Sequence, residues 1–166
     1  FRPVQLSDLS GIWQIIQDAI QARKEEGSDQ WQDGYPNPEV LEDDIQNGYA
    51  YVLCSEDEIL AYAALIFGDD PEPAYENIDG TWLSYQAYVV VHRVATAKNH
   101  KGKGIATYLF REIEKLALEK SYFSIKVDTN YDNLAMLKLL ANLEYSYCGI
   151  VVLPGGERKA YEKILS

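Results

Sequence analysis

The chain has 166 residues, 47% of them apolar, and carries a formal net charge of −11. That length fits one domain with a sizeable core, and that composition excludes a disordered chain. The acidic balance argues against general nucleic-acid binding, and no apolar run approaches the length of a membrane span.

Phe1-Arg2-Pro3-Val4 reads as a short edge strand, where a proline is tolerated. Ser7 is the candidate cap of a helix whose apolar face is Leu9, Ile12, Trp13, Ile16, Ala19 and Ile20, fading at Glu25-Glu26-Gly27. Asp29 to Pro36 is a loop with two aromatics, Trp31 and Tyr35. Asn37-Pro38 then caps and opens a short helix through Val40, Leu41 and Ile45 that Gly48 ends. Tyr49–Cys54 and Ile59–Phe67 are strands joined by the acidic turn Ser55–Glu58. Gly68 to Ser84 is long for a connection and rich in carboxylates (Asp69, Asp70, Glu72, Glu76, Asp79), and fits either a solvated excursion or a functional loop.

The central stretch runs from Tyr88 to Leu118. Val89-Val90-Val91 and Val94 suit a buried strand, and Ile105, Leu109, Phe110, Ile113, Leu116 and Ala117 fall on one face of a helix. Phe123–Asp128 is a further strand, parallel to the central one if the crossover is right-handed. A helix follows from Asn130-Tyr131-Asp132-Asn133 with Leu134, Leu137, Leu140, Ala141 and Leu143 inward. Tyr145–Leu153, the turn Pro154–Glu157 and Arg158–Leu165 close the chain as two strands. The order β-α-α-β-β-β-α-β-α-β-β predicts an α/β domain over 1–166, with a mixed sheet of about six to seven strands and about four helices.

Two cysteines, Cys54 and Cys148, and two histidines, His92 and His100, form no metal-ligand spacing. No metal site is expected, and no signal peptide is visible. Reduced thiols in a cytoplasmic protein are the expectation.

Between the central strand and its helix lies Lys98-Asn99-His100-Lys101-Gly102-Lys103-Gly104, a basic run in an acidic chain. A strand feeding a glycine-containing loop that opens a helix is an anion trap, because the first helical N–H groups lack internal partners and the dipole is positive there. The alternative is a solvated helix start. The run lacks the G-x-x-x-x-G-K-[ST] spacing of nucleotide hydrolases, and the G-x-G-x-x-G pattern fails at Thr107. It does meet Q/R-x-x-G-x-G/A in the form Lys101-Gly102-Lys103-Gly104-Ile105-Ala106, with Lys in first place. Lys keeps the charge there and loses the planar fork of Arg.

On those residues the chain resembles the GNAT superfamily, the acetyl-CoA-dependent N-acetyltransferases. The likeness covers most of the chain in element order and is specific from His92 to Tyr145. It continues in Asn133 and Met136 of the family's N-x-x-A/M helix and in the closing aromatic Tyr145. Two positions depart: Leu140 stands where the family has the Tyr proposed as general acid, and Glu144 stands where it has Gly. The resemblance implies coenzyme A as the anion. Lys101, Gly102, Lys103, Gly104, Ile105, Ala106 and Thr107 would grip its pyrophosphate. The backbone of Val94-Ala95-Thr96 and the side chain of Asn133 would meet its arm, in a slot where the two parallel strands splay. It also implies that Trp31 and Tyr35 flank the acceptor, although both equally suit loop anchors over the core. If Gly68–Ser84 borders the acceptor entrance, its charge favours a cationic amine.

An amine attacks only when neutral, and an alkyl amine has a pKa near ~10.4. His92, with a reference value of ~6.5, is the candidate base, against the alternative of a structural histidine. It lies two residues before Val94, on the same side if the strand is regular. Arg93 would face away and form an ion pair, and Asp128 is a lesser candidate for positioning. The leaving thiol resembles cysteine, pKa ~8.5, so a dedicated acid is dispensable, and Tyr145 and Tyr147 are the candidate substitutes for the missing Tyr.

Three functions are compatible: an N-acetyltransferase acting on a small-molecule or peptide amine, a non-catalytic acyl-CoA-binding module on the same fold, and an unrelated phosphate-binding α/β protein. Dimerisation is common in the family, and no interface is identifiable from the sequence.

Overall fold

A computed structural model describes all residues, 1–166. It contains eight strands and four α-helices: β1 (Arg2–Pro3), α1 (Leu9–Glu25), α2 (Pro38–Gln46), β2 (Ala50–Ser55), β3 (Glu58–Gly68), β4 (Asp79–Gly80), β5 (Tyr88–Thr96), α3 (Ile105–Glu119), β6 (Ser124–Thr129), α4 (Leu134–Asn142), β7 (Ser146–Leu153) and β8 (Gly156–Ile164). The fold is mixed α/β, with one strand more than the sequence implies. The extra strand is β4, inside the stretch Gly68–Ser84. No helix is long and apolar enough to cross a membrane.

The chain divides into two compact units, Phe1–Leu65 with Arg93–Leu109, and Ile66–His92 with Phe110–Ser166. β3, β5 and α3 each run from one unit into the other.

In the first unit, β1, β2 and β3 are antiparallel neighbours, with Arg2↔Val52 and Ala50↔Ala64 in register. Ile12, Ile15 and Ile16 of α1, Leu41 of α2, Ala50, Val52, Tyr62, Ala64 and Ala95 are buried together. The i, i+3, i+4 spacing of the three isoleucines turns them to one face, and burying each contributes about 1.5–3 kcal/mol. Ser7 does not cap α1. A short 3₁₀ turn, Leu6–Asp8, precedes the helix, and Asp8 accepts from the Gln5 N–H at 2.8 Å. Arg2 grips the same carboxylate at 2.8 and 3.0 Å, and that hydrogen bonding holds Asp8 below its ordinary pKa. α2 starts as its sequence predicts, with Asn37 Oδ1 accepting from the Val40 N–H at 3.1 Å and Pro38 in the first turn.

In the second unit, β5 pairs parallel with β6 from Val89↔Ile125 to Val91↔Val127. β8 pairs antiparallel with β6 and with β7, so the last strand lies between them, and β4 adds to β7 through Asp79↔Ile150 and Gly80↔Gly149. A Cβ on Gly80 or Gly149 would collide with the other's backbone, so only glycine fits this crossing.

Gly68–Ser84 is no solvated excursion. It holds a 3₁₀ turn, Pro73–Asn77, and its Tyr75 and Trp82 are buried with Tyr88, Val90, Cys148, Val151 and Ala160. The Trp82 indole N–H donates to the Tyr75 carbonyl at 2.9 Å. Its far end is tied down by Glu162, which is fully buried and accepts from the Leu83 N–H at 2.6 Å, the Ser84 N–H at 3.3 Å, and the Ser84 and Ser124 hydroxyls at 2.6 Å each. Four donors satisfy a carboxylate that would be costly to bury unpaired. Lys126, on β6, stacks 4.4 Å from the Trp82 ring centre and 4.0 Å from that of Tyr88, and burial pushes its pKa down.

The structure also explains one departure from the family pattern. Glu144 follows α4 with φ +64°, and its N–H donates to the Ala141 carbonyl while Tyr145 N–H reaches that of Leu140. This is a left-handed helix stop, the setting that favours glycine. Glu144→Gly is expected to raise stability by about 0.5–1 kcal/mol, the relieved strain of ~1–2 kcal/mol less the chain entropy that glycine adds. Thermal melts should move up by roughly 1–4 °C; a lower Tm would show that the Glu144 side chain makes a stabilising contact.

Burial pushes the phenols of Tyr62, Tyr75, Tyr88 and Tyr145 above their ordinary range. A raised phenol leaves stability unchanged below the unfolded value of ~10 and erodes it as pH climbs past that value. In an alkaline titration followed at 295 nm, the exposed tyrosines should ionise first, with these four ionising only together with loss of the circular dichroism signal. Their ionisation in a still-folded chain would contradict the burial.

Candidate active site

The basic loop belongs to the first unit. Lys98–His100 form a 3₁₀ turn that brings the His100 ring nitrogen Nε2 to Glu58 Oε1 at 2.8 Å. Gly102 and Gly104 then take φ +75° and +77°, and neither has an atom within 4 Å of where a Cβ would stand. The glycines are therefore required by backbone sign, and the space beside them is open. α3 begins at once. Its first intrahelical bond is Tyr108 N–H to the Gly104 carbonyl at 3.0 Å, so the N–H groups of Ile105, Ala106 and Thr107 come before any helical partner. Lys101 to Gly104 are exposed, and Ile105 to Thr107 are half-buried. Turned-up N–H groups, a helix dipole and two adjacent lysines make an anion cradle.

The end of β5 leads into that cradle. Ala95 is buried in the first unit's core, so only its backbone is available to a ligand, while Val94 and Thr96 are half-buried. The Ala97 N–H donates to the Leu60 carbonyl at 2.8 Å.

Between His92 and Val94 the strand is not regular. Arg93 has φ +53°, so side-chain alternation does not carry across it, and the expectation that His92 and Val94 share a face does not apply. A left-handed residue other than glycine costs about 1–2 kcal/mol. The Arg93 side chain is fully engaged. Nε and Nη2 reach the two oxygens of Asp44 at 2.8 and 2.5 Å, and Nη1 reaches the Tyr35 hydroxyl at 2.6 Å. Asp44 also accepts from the Tyr62 hydroxyl at 2.6 Å. Burial works against the charge of Arg93, but the Asp44 carboxylate more than offsets it and holds the guanidinium above its ordinary pKa. Tyr35 is 42% exposed and tethered through its hydroxyl, whereas Trp31 packs on the core containing Ile12 and Tyr62.

His92 belongs to the second unit and sits between two carboxylates. Its Nε2 is 3.1 Å from Glu72 Oε2 and its Nδ1 is 3.8 Å from Asp128 Oδ1, with side-chain exposures of 14%, 20% and 8% for His92, Glu72 and Asp128. Asp128 is held by the Tyr75 hydroxyl at 2.5 Å. Burial, and after it the Asp128 charge, keep that phenol protonated as a donor. The sequence singled out His92 and Asp128. It missed Glu72 and Tyr75, whose only signal was membership of an acidic stretch that seemed a loop. Asn133 caps α4, its Oδ1 accepting from the Met136 N–H at 3.2 Å. Leu140, at the family's Tyr position, is fully buried, and Tyr145 is buried edge-on against Phe110. Neither supplies an exposed acid; Tyr147, the other candidate, is exposed on β7 with its ring edge-on against Tyr161. No group of side chains is disposed to hold a metal ion.

The family model for the Acetyltransferase (GNAT) family matches residues 13–145. Among solved structures, a GNAT-family acetyltransferase from Streptococcus agalactiae is 36% identical, with a TM-score of 0.90 over 99% of this chain and 94% of its own. One from Listeria monocytogenes is 21% identical, with a TM-score of 0.74 over 99% and 93% of the two chains. A ribosomal-protein-alanine N-acetyltransferase from Brucella melitensis shares the fold at 21% identity and a TM-score of 0.69 over 99% and 98%. No curated protein matches. The cradle at the start of α3, the element order around it and the match over most of the chain together place this protein in the GNAT acetyltransferase family.

Proposed function

We propose that the chain, as one domain over 1–166, transfers the acetyl group of acetyl-CoA to a primary amine by direct attack in a ternary complex. The observation that carries this reading is the glycine-lysine cradle, where open space meets unpartnered N–H groups at Ile105–Thr107. The residues fit a diphosphate: Lys101 and Lys103 supply charge, and Gly102 and Gly104 supply turned backbone that no side chain obstructs. Val94, Ala95 and Thr96 would meet the amide arm through backbone. Asn133 is assigned to the arm by family likeness. Bound there, acetyl-CoA supplies an acyl group already activated as a thioester.

His92 removes the amine proton in this reading. Its two nitrogens have different partners, and that sets the tautomer. At 3.1 Å the Nε2–H donates to Glu72, which leaves the Nδ1 lone pair as the base. Its 3.8 Å gap to Asp128 exceeds a hydrogen bond, so the two reach each other through a water or through the amine itself. Asp128, oriented by Tyr75, balances the charge that forms on the ring. The departing thiol needs no dedicated acid, consistent with Leu140 in the core. The same Leu140 favours the alternative, an acyl-CoA-binding module without turnover. The setting is cytoplasmic, in keeping with two free cysteines, and the acceptor is an amine on a small molecule or peptide.

Calorimetry with coenzyme A tests the cradle. Wild type should bind in the micromolar range, and Gly104→Val should weaken binding by roughly a hundredfold or more, since a β-branched residue resists this φ and loses charge-assisted contacts worth about 1.5–3 kcal/mol each. Unchanged affinity would remove the loop from the site. His92→Ala should lower kcat by roughly 10²-fold at neutral pH with the KM for acetyl-CoA unchanged, as for a general base. The deficit should shrink as pH rises toward the amine's own ~10.4, where neutral amine forms without help. Equal rates at all pH values would clear His92 of that role.

A further inference from the structure

One charged cluster is not used by the mechanism above. Arg93 is joined by a single peptide bond to His92, yet its side chain serves other elements. It spends two donors on Asp44 of α2 and a third on Tyr35, in the segment between α1 and α2. Asp44 is almost fully buried and also takes the Tyr62 hydroxyl of β3. Tyr35 receives a hydrogen bond from a cation at 2.6 Å, so its own O–H proton points elsewhere, from a ring left 42% exposed. The rest of that segment is organised by weaker neutral bonds, such as Gln32 Nε2 to the Ile20 carbonyl at 2.9 Å and Asn37 Nδ2 to the Gly34 carbonyl at 3.1 Å. The Arg93 fork is thus a charged tie, within the first unit, between Tyr35 of the 29–37 segment and Asp44 of α2.

We propose that Arg93 is a positioning residue for the acceptor: its guanidinium, fixed by Asp44, holds the Tyr35 hydroxyl and its loop where that hydroxyl donates to the incoming amine-bearing molecule. The inference rests on the transferase reading. It names the acceptor as a molecule carrying a hydrogen-bond acceptor beside the amine, since a hydroxyl already accepting from Arg93 offers its proton. The left-handed backbone fits this role. Strain inside a strand persists where surrounding contacts over-determine it, and here those contacts tie the left-handed residue to the loop.

Two variants separate side chain from backbone. Arg93→Gly keeps a residue at ease with φ +53° and deletes the clamp; Tyr35→Phe keeps the ring and deletes one hydroxyl. Amide hydrogen exchange comes first, because it needs no turnover. In both variants residues 29–37 should exchange roughly tenfold faster while residues 98–107 do not change. Unchanged exchange at 29–37 in Tyr35→Phe overturns the clamp. Kinetics with the best amine follow. Each variant should raise the acceptor KM roughly tenfold and leave the KM for acetyl-CoA within about twofold, and the double variant should be no worse than either single one. Equal rises in both KM values, or effects that multiply, would reduce Arg93 to a general structural part. A wild-type protein that binds coenzyme A but acetylates nothing would refute the acceptor role along with the transferase reading, whereas active wild type with unaffected variants refutes the Arg93 inference alone.

Discussion

The ion pair between Arg93 and Asp44 is the constraint on which the centre of this chain depends. A strand residue with φ +53° is unfavourable by about 1–2 kcal/mol, and the strand would otherwise run straight. Arg93 stays there because its guanidinium is buried against a carboxylate in two-point contact and against Tyr35. Removing one partner of such a pair typically costs about 3–5 kcal/mol because the other charge is left buried and unpaired, so the folded chain keeps the two together and the bend with them. The consequence is a break in alternation between His92 and Val94. One strand can then give its first half to a parallel ladder with β6 and its second half to the approach toward the cradle.

The cradle itself rests on a different balance. The chain is acidic overall, yet Lys98, Lys101 and Lys103 gather where α3 begins. The nearby histidine, His100, is taken up by Glu58, and the two glycines turn the backbone without filling the space beside it. The positive potential therefore comes from backbone N–H groups and exposed lysines, a combination that suits a charged, flexible ligand better than a buried ion. His92 lives in an opposite environment, between Glu72 and Asp128.

Much of this was legible in the sequence, because local signals decided it. The valines of β5, the apolar face of α3, the Asn37-Pro38 start of α2 and the Gly102–Gly104 loop each depend on neighbours within a few residues. What was illegible depended on distant partners. Ser7 looked like a cap, but a 3₁₀ turn precedes α1, and the Asp8 carboxylate beside it is taken up by Arg2 and the Gln5 N–H, so no side chain caps the helix. Gly68–Ser84 suited a solvated excursion as well as a functional loop because its five carboxylates are interspersed among its apolar residues. Two of its aromatics, Tyr75 and Trp82, suffice to fold it, and Glu162, some 80 residues on, anchors its end. The candidate site divides the same way. Lys101 to Thr107 and His92 were readable as types in a pattern. Glu72, Tyr75 and the Arg93–Asp44–Tyr35 tie needed three dimensions. Glu144 shows the reverse case: an unexpected residue whose left-handed backbone reveals why the family uses glycine there.

Whether this arrangement transfers acetyl groups is answered most directly by one measurement. Thiol release from acetyl-CoA should be followed across a panel of primary amines, including polyamines, amino acids, aminoglycosides and peptide N-termini. The account predicts release above the hydrolysis background with at least one amine, and acetylated amine in equal amount to free thiol. Tight coenzyme A binding with no amine-dependent thiol release across the panel would contradict it, and would make the fold a carrier of acyl-CoA instead of a catalyst.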